Sequence, residues 1–598
     1  MTKKLAAPLL LLLALLVYAP ALRAGFVWDD RALVLSDPLI RSWRLAGEGF
    51  HHFLFVDAGG SGFYRPLQRL TYLLDYAAFV FAPGGYHLVS LLWHAAAAIA
   101  LFFFAEEFLG FYEMAERRRG RLAFFVALLW MIHPLQNAAV AYVAGRADPL
   151  AATFGFLALF LGLRMRRATG RRKWQLGFAV ALALLASALS KEMGLLFLAL
   201  WLLLVLAQRS RAEFWRALGI VAAVLVIYLS LRLPAERSPA PPERQPAPLL
   251  VRPIVVARAV AEYAGLVVLP LHLHMDRDVE THPFGFVTAS LNAAAWRELQ
   301  TLLGLVLIAG AGYALWRVRK RRAIFLPFLC AVVSYLPVSG LVPLNATVAE
   351  HWLYLPSAFL FLGAAVWLES LGVFQRRTGQ LCVALWLAFL SARTFIRTGD
   401  WQDQRTFLTR TLATGGDSAR MWINLGGLEL SEGHLLEAER ALDTALVKEP
   451  GNPRALLDLA AVAIRRGEFA RARDLLKKVT EPPELRARAE ESLAVLENRE
   501  SGKVNLLRLR LAARLGAANW TLEGRYVQAL ADLGFPDKAI VELKTSLSAA
   551  PYRAESWDIM SELLRRIGRP NESAMALARA EANDVHLHEH DRGPLARR

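Results

Sequence analysis

Apolar and polar residues are distributed unevenly along the chain. Long apolar runs alternate with short polar stretches up to about residue 395, and a charged sequence typical of soluble helices follows. A helix needs about 20 mostly apolar residues to cross the hydrocarbon core of a bilayer. The first part therefore predicts about eleven membrane-spanning helices, near residues 5–23, 86–105, 121–135, 149–164, 175–190, 193–208, 215–232, 299–316, 323–340, 352–371 and 378–395.

The charge of the chain supports this topology. The 598 residues carry a formal net charge of +17, and the mean hydropathy is +0.34. Much of the positive charge lies in short clusters between the apolar runs, such as "RRRGR" at 117–121 and "WRVRKRR" at 316–322. Such clusters mark the cytoplasmic side of a membrane protein, so we do not expect a nucleic-acid partner. The amino terminus is then cytoplasmic, and an odd number of crossings places the C-terminal region outside.

Two segments leave alternatives open. Residues 249–274 are apolar enough to cross, but a single crossing there puts "WRVRKRR" on the wrong side, so we expect a re-entrant or interfacial segment. The first run also fits a signal peptide, although Leu22 replaces a small residue before the cut. The two cysteines, Cys330 and Cys382, lie in apolar runs and imply no disulfide framework.

The C-terminal region shows a 34-residue period, which is the length of a tetratricopeptide repeat. Its first copy covers residues 419–452 and carries the diagnostic residues Trp422, Leu425, Gly426, Ala438, Leu442, Ala445 and Pro450. Further copies follow one period later and near the chain end, with a degenerate helical stretch at about 487–519. The pattern predicts an α-solenoid of four or five repeats. Such a surface holds a polypeptide, or it serves as a lid or stability module.

Polar residues gather in the loops that this topology places outside. Ionisable groups clustered at one membrane face indicate a functional site, although each group alone also fits a solvated loop or a local ion pair. The "DRD" sequence is a candidate metal-binding pair through Asp276 and Asp278, beside Glu280 and three histidines. The other candidates in these loops are Asp29, Asp30, Tyr64, Arg65, His133, Arg146, Asp148, Lys191, Glu192, Glu350 and His351.

Several motifs occur in a specific order. "FVWDDRALVLSDPLIR", "YRPLQRLTYLLDY", "MIHPLQNAAVAYVAGRADPLA" and "ALSKEMGLLFLAL" precede "VVLPLHLHMDRD", "PLNATVAEHWLYLPS" and "RTGDWQDQRTF", and repeats follow. This order resembles the transmembrane and tetratricopeptide-repeat-containing O-mannosyltransferases and, more widely, the type C glycosyltransferases. The resemblance covers nearly the whole chain. It implies transfer of a sugar from a polyprenyl-phosphate carrier to hydroxyl groups of proteins outside the cytoplasm.

The resemblance also assigns roles to residues. Asp29 or Asp30 is the catalytic base, with Asp29 favoured, and Arg65, Lys191 and His351 contact the donor phosphate. The family usually has Glu-Arg before "LYLPS", whereas this chain has Glu350-His351. Phosphate binding at position 351 then needs a protonated imidazole, or Arg65 or Lys191 takes it over. The remaining residues form the acceptor or donor pocket, namely Tyr64, His133, Arg146, Asp148, Glu192 and Glu350.

The expected architecture is all-α: a polytopic helical bundle over residues 1–398, a linker at 399–418 and a tetratricopeptide α-solenoid over 419–590. The charge pattern and composition favour a bacterial inner membrane with the repeats in the periplasm. The alternatives are transfer of a lipid-linked oligosaccharide as one block, modification of a glycolipid, a non-enzymatic scaffold of the cell envelope, and a transporter. No cofactor is assigned, a divalent metal stays open, and the expected partners are the lipid-linked sugar and a protein acceptor held by the repeats.

Overall fold

The computed structural model describes residues 3–56, 61–235, 249–277, 279, 291–342, 344, 346–516 and 519–587. Within these ranges the regular structure is helical, with one isolated β-bridge between Arg277 and Val348 and no β-strand. The predicted all-α fold is therefore confirmed. Asp278 and Glu280 lie outside the described residues.

The chain up to residue 413 forms fifteen of the described α-helices. In order they are α1 (Lys3–Val17), α2 (Pro66–Phe79), α3 (Pro83–Phe111), α4 (Glu116–Ile132), α5 (Asn137–Val140), α6 (Ala147–Arg166), α7 (Gly170–Ser190), α8 (Leu196–Leu206), α9 (Arg211–Arg232), α10 (Arg252–Val268), α11 (Leu291–Val318), α12 (Arg322–Tyr335), α13 (Tyr354–Ser370), α14 (Arg377–Gly399) and α15 (Gln404–Ala413).

Every predicted apolar run falls on one of these helices. By length and composition, seven helices of the described chain can cross a membrane, and an eighth arises if α4 and the following segment to Val140, bent by 57°, count as one. Three further runs form apolar helices of only 10–17 residues. The chain is thus a multi-pass membrane protein by the character of its helices, and eleven crossings stay a prediction.

The long helices differ in how much of their surface the protein covers. The apolar window of α6 is 67% buried, whereas those of α11 and α14 are 11% buried. Exposed apolar surface of that extent is unfavourable in water and is normal against lipid. We therefore expect α11 and α14 to contact the bilayer and α6 to lie inside the bundle.

Glycine permits the closest helix contacts in the bundle. A Cβ atom on Gly155 of α6 would lie 2.2 Å from the ring of Phe197, and one on Gly162 would lie 2.3 Å from the indole nitrogen of Trp201. Both aromatic residues are on α8. Small residues are enriched at membrane helix interfaces because they let backbones approach closely.

Residues 249–274 contain the single helix α10. It is not among the described helices that are long and apolar enough to cross. It packs on α11, where a Cβ on Gly304 would lie 1.8 Å from the carbonyl oxygen of Ala257. A re-entrant or interfacial position for this segment stays a prediction.

Ten further helices form five consecutive pairs. They are α16 (Ala419–Glu432), α17 (Leu435–Lys448), α18 (Pro453–Arg466), α19 (Phe469–Lys477), α20 (Pro483–Ser501), α21 (Leu506–Leu515), α22 (Trp520–Asp532), α23 (Pro536–Ala549), α24 (Ala554–Arg566) and α25 (Pro570–Asn583). The degenerate middle stretch is the third pair, α20 and α21. Three of the ten helices, α16, α18 and α20, are followed directly by a glycine with positive φ, namely Gly433, Gly467 and Gly502. After α22 and α24 such a glycine, Gly534 or Gly568, comes one residue later. A glycine in this conformation is a common helix stop.

The helices group into two compact units. The first holds Met1–Val27, Pro83–Leu233 and Glu243–Asp417, and the second holds Trp28–Ala82, Pro234–Pro242 and Ser418–Arg598. The predicted linker at 399–418 contains α15, whose Phe407 is buried in the first unit and stacks on Trp401 with 4.7 Å between ring centroids. The second unit includes a long segment before α3, which sequence analysis assigns to the bundle.

Buried Arg69 of α2 organises this early segment. Its Nε donates to Oδ2 of Asp37 at 2.9 Å, and its other nitrogens donate to the carbonyl oxygens of Gly49, His52 and Phe53. One side chain thus holds four backbone or side-chain acceptors that are distant in sequence. A buried guanidinium with all these partners fixes the path of the chain.

The same segment is bonded to the last repeat. The hydroxyl of Tyr76 donates to Oδ1 of Asp584 at 2.7 Å, and the backbone N–H of Val585 donates to the carbonyl oxygen of Arg41 at 3.3 Å. The Arg41 guanidinium lies over the rings of Tyr76 and Phe81, 4.6 and 4.5 Å from their centroids. Residues 28–82 are therefore part of the fold of the repeat unit.

A glycine pair on α16 tests the packing of the first repeat. A Cβ on Gly426 would lie 2.6 Å from Cγ of buried Leu442, whereas one on neighbouring Gly427 meets only Oδ2 of Asp458 at 3.6 Å. We expect Gly426→Ala to lower the free energy of unfolding by about 1–3 kcal/mol because the site is overpacked.

The control is Gly427→Ala, which we expect to be neutral or to stabilise by about 0.4–1 kcal/mol. Both variants are measured as the full chain in detergent by thermal unfolding of the repeat unit. Equal stability of the two variants would contradict the close contact between α16 and α17.

Candidate active site

Asp148 and Lys191 form an ion pair in the first unit. Asp148 lies in the first turn of α6, where the helix dipole favours a carboxylate, and Lys191 directly follows α7. The Lys191 ammonium donates to Oδ2 of Asp148 at 2.6 Å, and the two side chains are 12% and 7% exposed. A Cβ on Gly194 would lie 2.0 Å from the carbonyl oxygen of Ser187, so the "SKEMG" turn requires glycine. Half-buried Glu192 begins this turn.

Arg146 precedes Asp148 by two residues and is completely buried. Its Nε donates to the hydroxyl of Ser90 at 3.0 Å, and a terminal nitrogen donates to the carbonyl oxygen of Tyr86 at 2.7 Å. Both acceptors are on α3. Gly145 allows the turn before it, since its Cβ would lie 2.2 Å from the carbonyl oxygen of Ala138. Arg146 therefore ties the "GRAD" turn to α3.

His133 has backbone partners on both ring nitrogens. Its Nε2 lies 3.0 Å from the carbonyl oxygen of Val267 and donates to it, and Nδ1 accepts the backbone N–H of Leu135 at 3.3 Å. The ring is fully buried and lies against Phe361 at 5.2 Å between centroids. These two hydrogen bonds indicate that His133 stabilises the bend after α4.

Glu350 lies in a buried charge network that sequence analysis does not include. Its Oε1 accepts from the Arg397 guanidinium at 3.0 Å, and Arg397 also donates to Oδ2 of Asp400 at 3.0 Å. Glu350 and Arg397 are fully buried. Half-buried His351 lies beside Trp352, with 6.0 Å between ring centroids. Arg397 is the first residue of the "RTGDWQ" motif, and this motif is the sequence feature that could have identified it as a site residue.

The candidate metal pair of Asp276 and Asp278 stays a prediction, because Asp278 lies outside the described residues. Asp276 is buried, and its neighbour Arg277 forms an ion pair with Glu262 at 2.6 Å. Burial, then the positive charges of Arg277 and Arg397, lower the pKa of nearby His274 to about 3. A cluster of three potential metal ligands in the described chain lies elsewhere, in the repeats, at Glu429, Glu432 and His434.

Asp29 and Asp30 lie in the second unit and differ in burial. They follow Trp28, which has a positive φ of 50°, and the carbonyl oxygen of Asp29 accepts the N–H of Leu33 at 2.9 Å. Asp30 is completely buried, whereas Asp29 is half-buried. The Arg420 guanidinium lies 5.1 Å from the ring centroid of Trp28, so this turn is next to the first repeat.

Tyr64 and Arg65 also belong to the second unit. The buried Tyr64 hydroxyl donates to the carbonyl oxygen of Phe50 at 2.9 Å. The half-buried Arg65 guanidinium lies 4.5 Å from the ring centroid of Phe63 and directly precedes α2. Tyr64 thus shapes the loop, and Arg65 keeps part of its surface in solvent.

The structure therefore places the predicted residues in two groups. In the first unit it joins Asp148 to Lys191 and Glu350 to Arg397. In the second unit, the candidates are Asp29, Asp30, Tyr64 and Arg65. The catalytic roles of all these residues stay predictions.

Fold and site residues together describe a helical membrane protein with a repeat domain. The family model for the tetratricopeptide repeat matches residues 429–494. A protein O-mannosyl-transferase of Caenorhabditis elegans is 24% identical over 74% of this chain and 62% of its own length. One of Homo sapiens is 25% identical over 72% of this chain and 49% of its own length, and one of Drosophila melanogaster is 35% identical over 30% and 20%.

The chain is thus similar to protein O-mannosyl-transferases, as its motifs indicate. It spans about half to three fifths of the length of the first two relatives. Among solved structures, ArnT from Cupriavidus metallidurans bound to undecaprenyl phosphate is 16% identical, and the match covers 92% of this chain and 80% of that chain. The TM-score of 0.35 is too low to establish a common fold.

The Asp148–Lys191 pair yields a stability prediction. We expect Asp148→Asn to lower the free energy of unfolding by roughly 3 kcal/mol, because the mostly buried Lys191 ammonium loses its closest carboxylate. Lys191→Met should have a similar effect for the converse reason. The double variant should cost clearly less than the sum, since the two side chains share one interaction.

The measurement is thermal unfolding of the full chain in detergent. The control is Arg118→Gln, which removes an ion pair to Glu369 in which the arginine is 53% exposed, and we expect it to cost about 0–1 kcal/mol. Additive effects of the two single substitutions would show that Asp148 and Lys191 do not depend on each other.

Proposed function

We propose that the protein is an integral membrane glycosyltransferase. It moves mannose or another hexose from a polyprenyl-phosphate donor to hydroxyl groups of proteins outside the cytoplasm, with inversion at the anomeric carbon. The observation that carries this proposal is the similarity to protein O-mannosyl-transferases over 72–74% of the chain. Because the chain covers only part of those relatives, their activity supports the proposal and does not establish it.

The charged groups of the first unit fit the donor half of the reaction. A phosphate leaving group gains negative charge, which a nearby cation stabilises. Asp148 accepts a hydrogen bond from the Lys191 ammonium at 2.6 Å, so the pair holds this positive charge in place, where it can attract a phosphate. Arg146 is fully buried and bonded to α3, which favours a supporting role. His351 and Arg65 stay candidates for the phosphate.

The burial of the acidic pair favours Asp29 as the base. A base has to contact the acceptor hydroxyl, and half-buried Asp29 is accessible whereas Asp30 is not. Asp29 takes the hydroxyl proton as the oxygen attacks the anomeric carbon. The bond from that carbon to the phosphate oxygen breaks, and the lipid phosphate leaves with the electron pair. General base catalysis contributes roughly 10²–10⁴-fold.

The cellular setting is part of the proposal. The positive-inside pattern favours a cytoplasmic amino terminus, repeats outside the cytoplasm and, in a bacterium, the inner membrane with repeats in the periplasm. Transfer of a whole lipid-linked oligosaccharide and modification of a glycolipid are the rival activities, since they use the same donor chemistry. A scaffold without activity is the third candidate. A divalent metal as cofactor is left open.

The test compares Asp29→Asn with Asp30→Asn in membranes that express the full chain. The donor is a radiolabelled polyprenyl-phosphate mannose, tried beside other polyprenyl-phosphate hexoses, and the acceptor is total periplasmic protein. We expect Asp29→Asn to reduce transfer by about 10²–10⁴-fold without loss of stability. We expect Asp30→Asn to lower the thermal unfolding temperature instead, because its side chain is completely buried.

Two controls make the comparison sharp. Label must enter a protease-sensitive product, which separates protein acceptors from glycolipids, and a single hexose must be released, which separates hexose from block transfer. Normal transfer by both variants would refute the base assignment. Absence of transfer by the wild type with every donor would favour the scaffold.

A further inference from the structure

The first helix of each of four successive repeats carries an arginine at a similar position. Arg420, Arg454 and Arg488 are spaced by 34 residues, the length of one tetratricopeptide repeat. They lie on α16, α18 and α20, and Arg525 takes the corresponding place on α22, five residues after the helix start, as Arg488 does on α20. These four helices pack directly against each other in sequence order. We call these four residues the arginine row.

The members of the arginine row are close enough to affect each other. Neighbouring protein atoms partly desolvate Arg454 and lower its pKa, and the positive charges of Arg488 and Arg420 lower it further, while Asp458 and Asp29 oppose this shift. The pKa of Arg525 is lowered in the same way, by loss of water and then by Arg488. Each arginine therefore lies within electrostatic reach of the next one, although Arg454, Arg488 and Arg525 are exposed.

The centre of the arginine row has unused hydrogen-bond donors. In the described part of the chain, the guanidinium groups of Arg454 and Arg488 form neither a hydrogen bond nor an ion pair within 4.0 Å. Arg525 is paired with Glu491, and Arg420 lies over Trp28. Asp458 and Asp29 interact with Arg454 electrostatically but form no ion pair with it, so the two adjacent guanidinium groups keep donors for a carboxylate or phosphate that binds between them.

Helix polarity adds to the attraction for an anion. Arg420 and Arg454 are in the first turns of α16 and α18, where a positive side chain opposes the helix dipole. Such a residue is unfavourable for the helix alone and favourable once an anion is bound there. Because Oδ1 of Asn452 already accepts the N–H groups of Arg454 and Ala455, the attraction for an anion comes from the helix dipoles and the arginine side chains.

We propose that the arginine row binds an acidic polypeptide segment in an extended conformation. The ligand carries separate carboxylates, which bind to Arg488 and Arg454 and, at the edges, to Arg525 and Arg420. Packed helices are about 8–10 Å apart, and a polyproline II chain advances about 9 Å in three residues. Acidic residues at every third position thus match consecutive first helices.

Two carboxylates of the protein itself favour a polypeptide over a continuous polyanion. Half-buried Asp458 lies one turn after Arg454 on α18, and burial raises its pKa to about 6 although Arg488 and Arg454 oppose this shift. Asp29 also interacts electrostatically with Arg454. A nucleic acid or an anionic bilayer presents charge continuously and is repelled at these two points. A peptide with spaced carboxylates avoids them.

The position of Asp29 suggests that the bound acidic segment is also the sugar acceptor. The proposed base lies beside the first two members of the arginine row, so a hydroxyl-bearing residue next to the acidic positions is brought towards it. The acidic segment is then the acceptor, with serine or threonine flanked on one side by spaced carboxylates. This identification of the acceptor rests on the proposed function, whereas binding of the acidic segment does not.

Binding is measured by fluorescence anisotropy with the full chain in detergent. The probe is a labelled peptide with one threonine and three aspartates at every third position. Arg488→Gln and Arg454→Gln should each weaken binding by about tenfold, the loss expected for one charged hydrogen bond. Salt should weaken binding to the wild type, since exposed charges are screened.

The matched control is Arg486→Gln. Arg486 is exposed on the same helix two residues before Arg488, hence on a different face, and its substitution should leave binding unchanged. A peptide with the same composition but three adjacent aspartates should bind more weakly. Equal losses for Arg486→Gln and Arg488→Gln, or equal affinity for the two peptides, would overturn the proposal. Stronger binding of anionic phosphatidylglycerol vesicles or of single-stranded nucleic acid through Arg488 would also overturn it.

A transfer assay with the same threonine peptide separates this proposal from the proposed function. If the peptide is an acceptor, Arg488→Gln should raise KM about tenfold and leave kcat unchanged. Peptide binding that depends on Arg488 without any transfer would keep the binding surface and refute the acceptor role. Transfer with a KM independent of Arg488 would refute the arginine row and keep the transferase.

Discussion

A charge inside an apolar helical bundle needs a counter-charge close by, because an unpaired one costs several kcal/mol. This constraint determines where the polar residues of this protein lie. Three buried carboxylates of its characteristic motifs each meet a cation, and these pairs lie in turns or in the first or last turn of a helix. The pairs are Asp148 with Lys191, Glu350 with Arg397, and Asp37 with Arg69. The same pairing that stabilises the ends of the helices also places charged side chains there.

The helices could be predicted from the sequence because their signals are local. Apolar length, basic clusters and the 34-residue period depend on neighbouring residues only, and each predicted apolar run falls on an apolar helix. The division into units could not be predicted, because it depends on contacts between residues far apart in sequence. Tyr76 and Asp584 are bonded at 2.7 Å, and no periodicity relates them. Residues 28–82 therefore looked like an ordinary loop of the bundle, although they fold with the repeats.

The sequence indicates which residues are candidates for the site, but it predicts few of the contacts that these residues form. The ion pair of Asp148 and Lys191 joins two motifs that the sequence singles out. His133 and Tyr64 were singled out by the same reasoning, yet the structure shows hydrogen bonds from both to backbone carbonyl oxygens, so a polar motif residue can have a purely local task. Arg397 was missed because its partner Glu350 is 47 residues away. Burial separates Asp29 from Asp30, a difference that two identical adjacent residues cannot reveal in sequence.

The repeats of the second unit have a structural task, because the early segment of the chain folds against them. Arg41 and Tyr76 of the early segment are held by Val585 and Asp584 at the end of the repeats, and loss of the last repeat would leave a buried tyrosine hydroxyl without its carboxylate. The acidic turn after Trp28 depends on the same unit at its other end, through Arg420. The segment 28–82, which includes the turn with Asp29, is thus held by the first repeat near its start and by the last repeat near its end. If Asp29 is the base and the arginine row binds the acceptor, as we propose, one repeat domain both positions the carboxylate and holds its substrate.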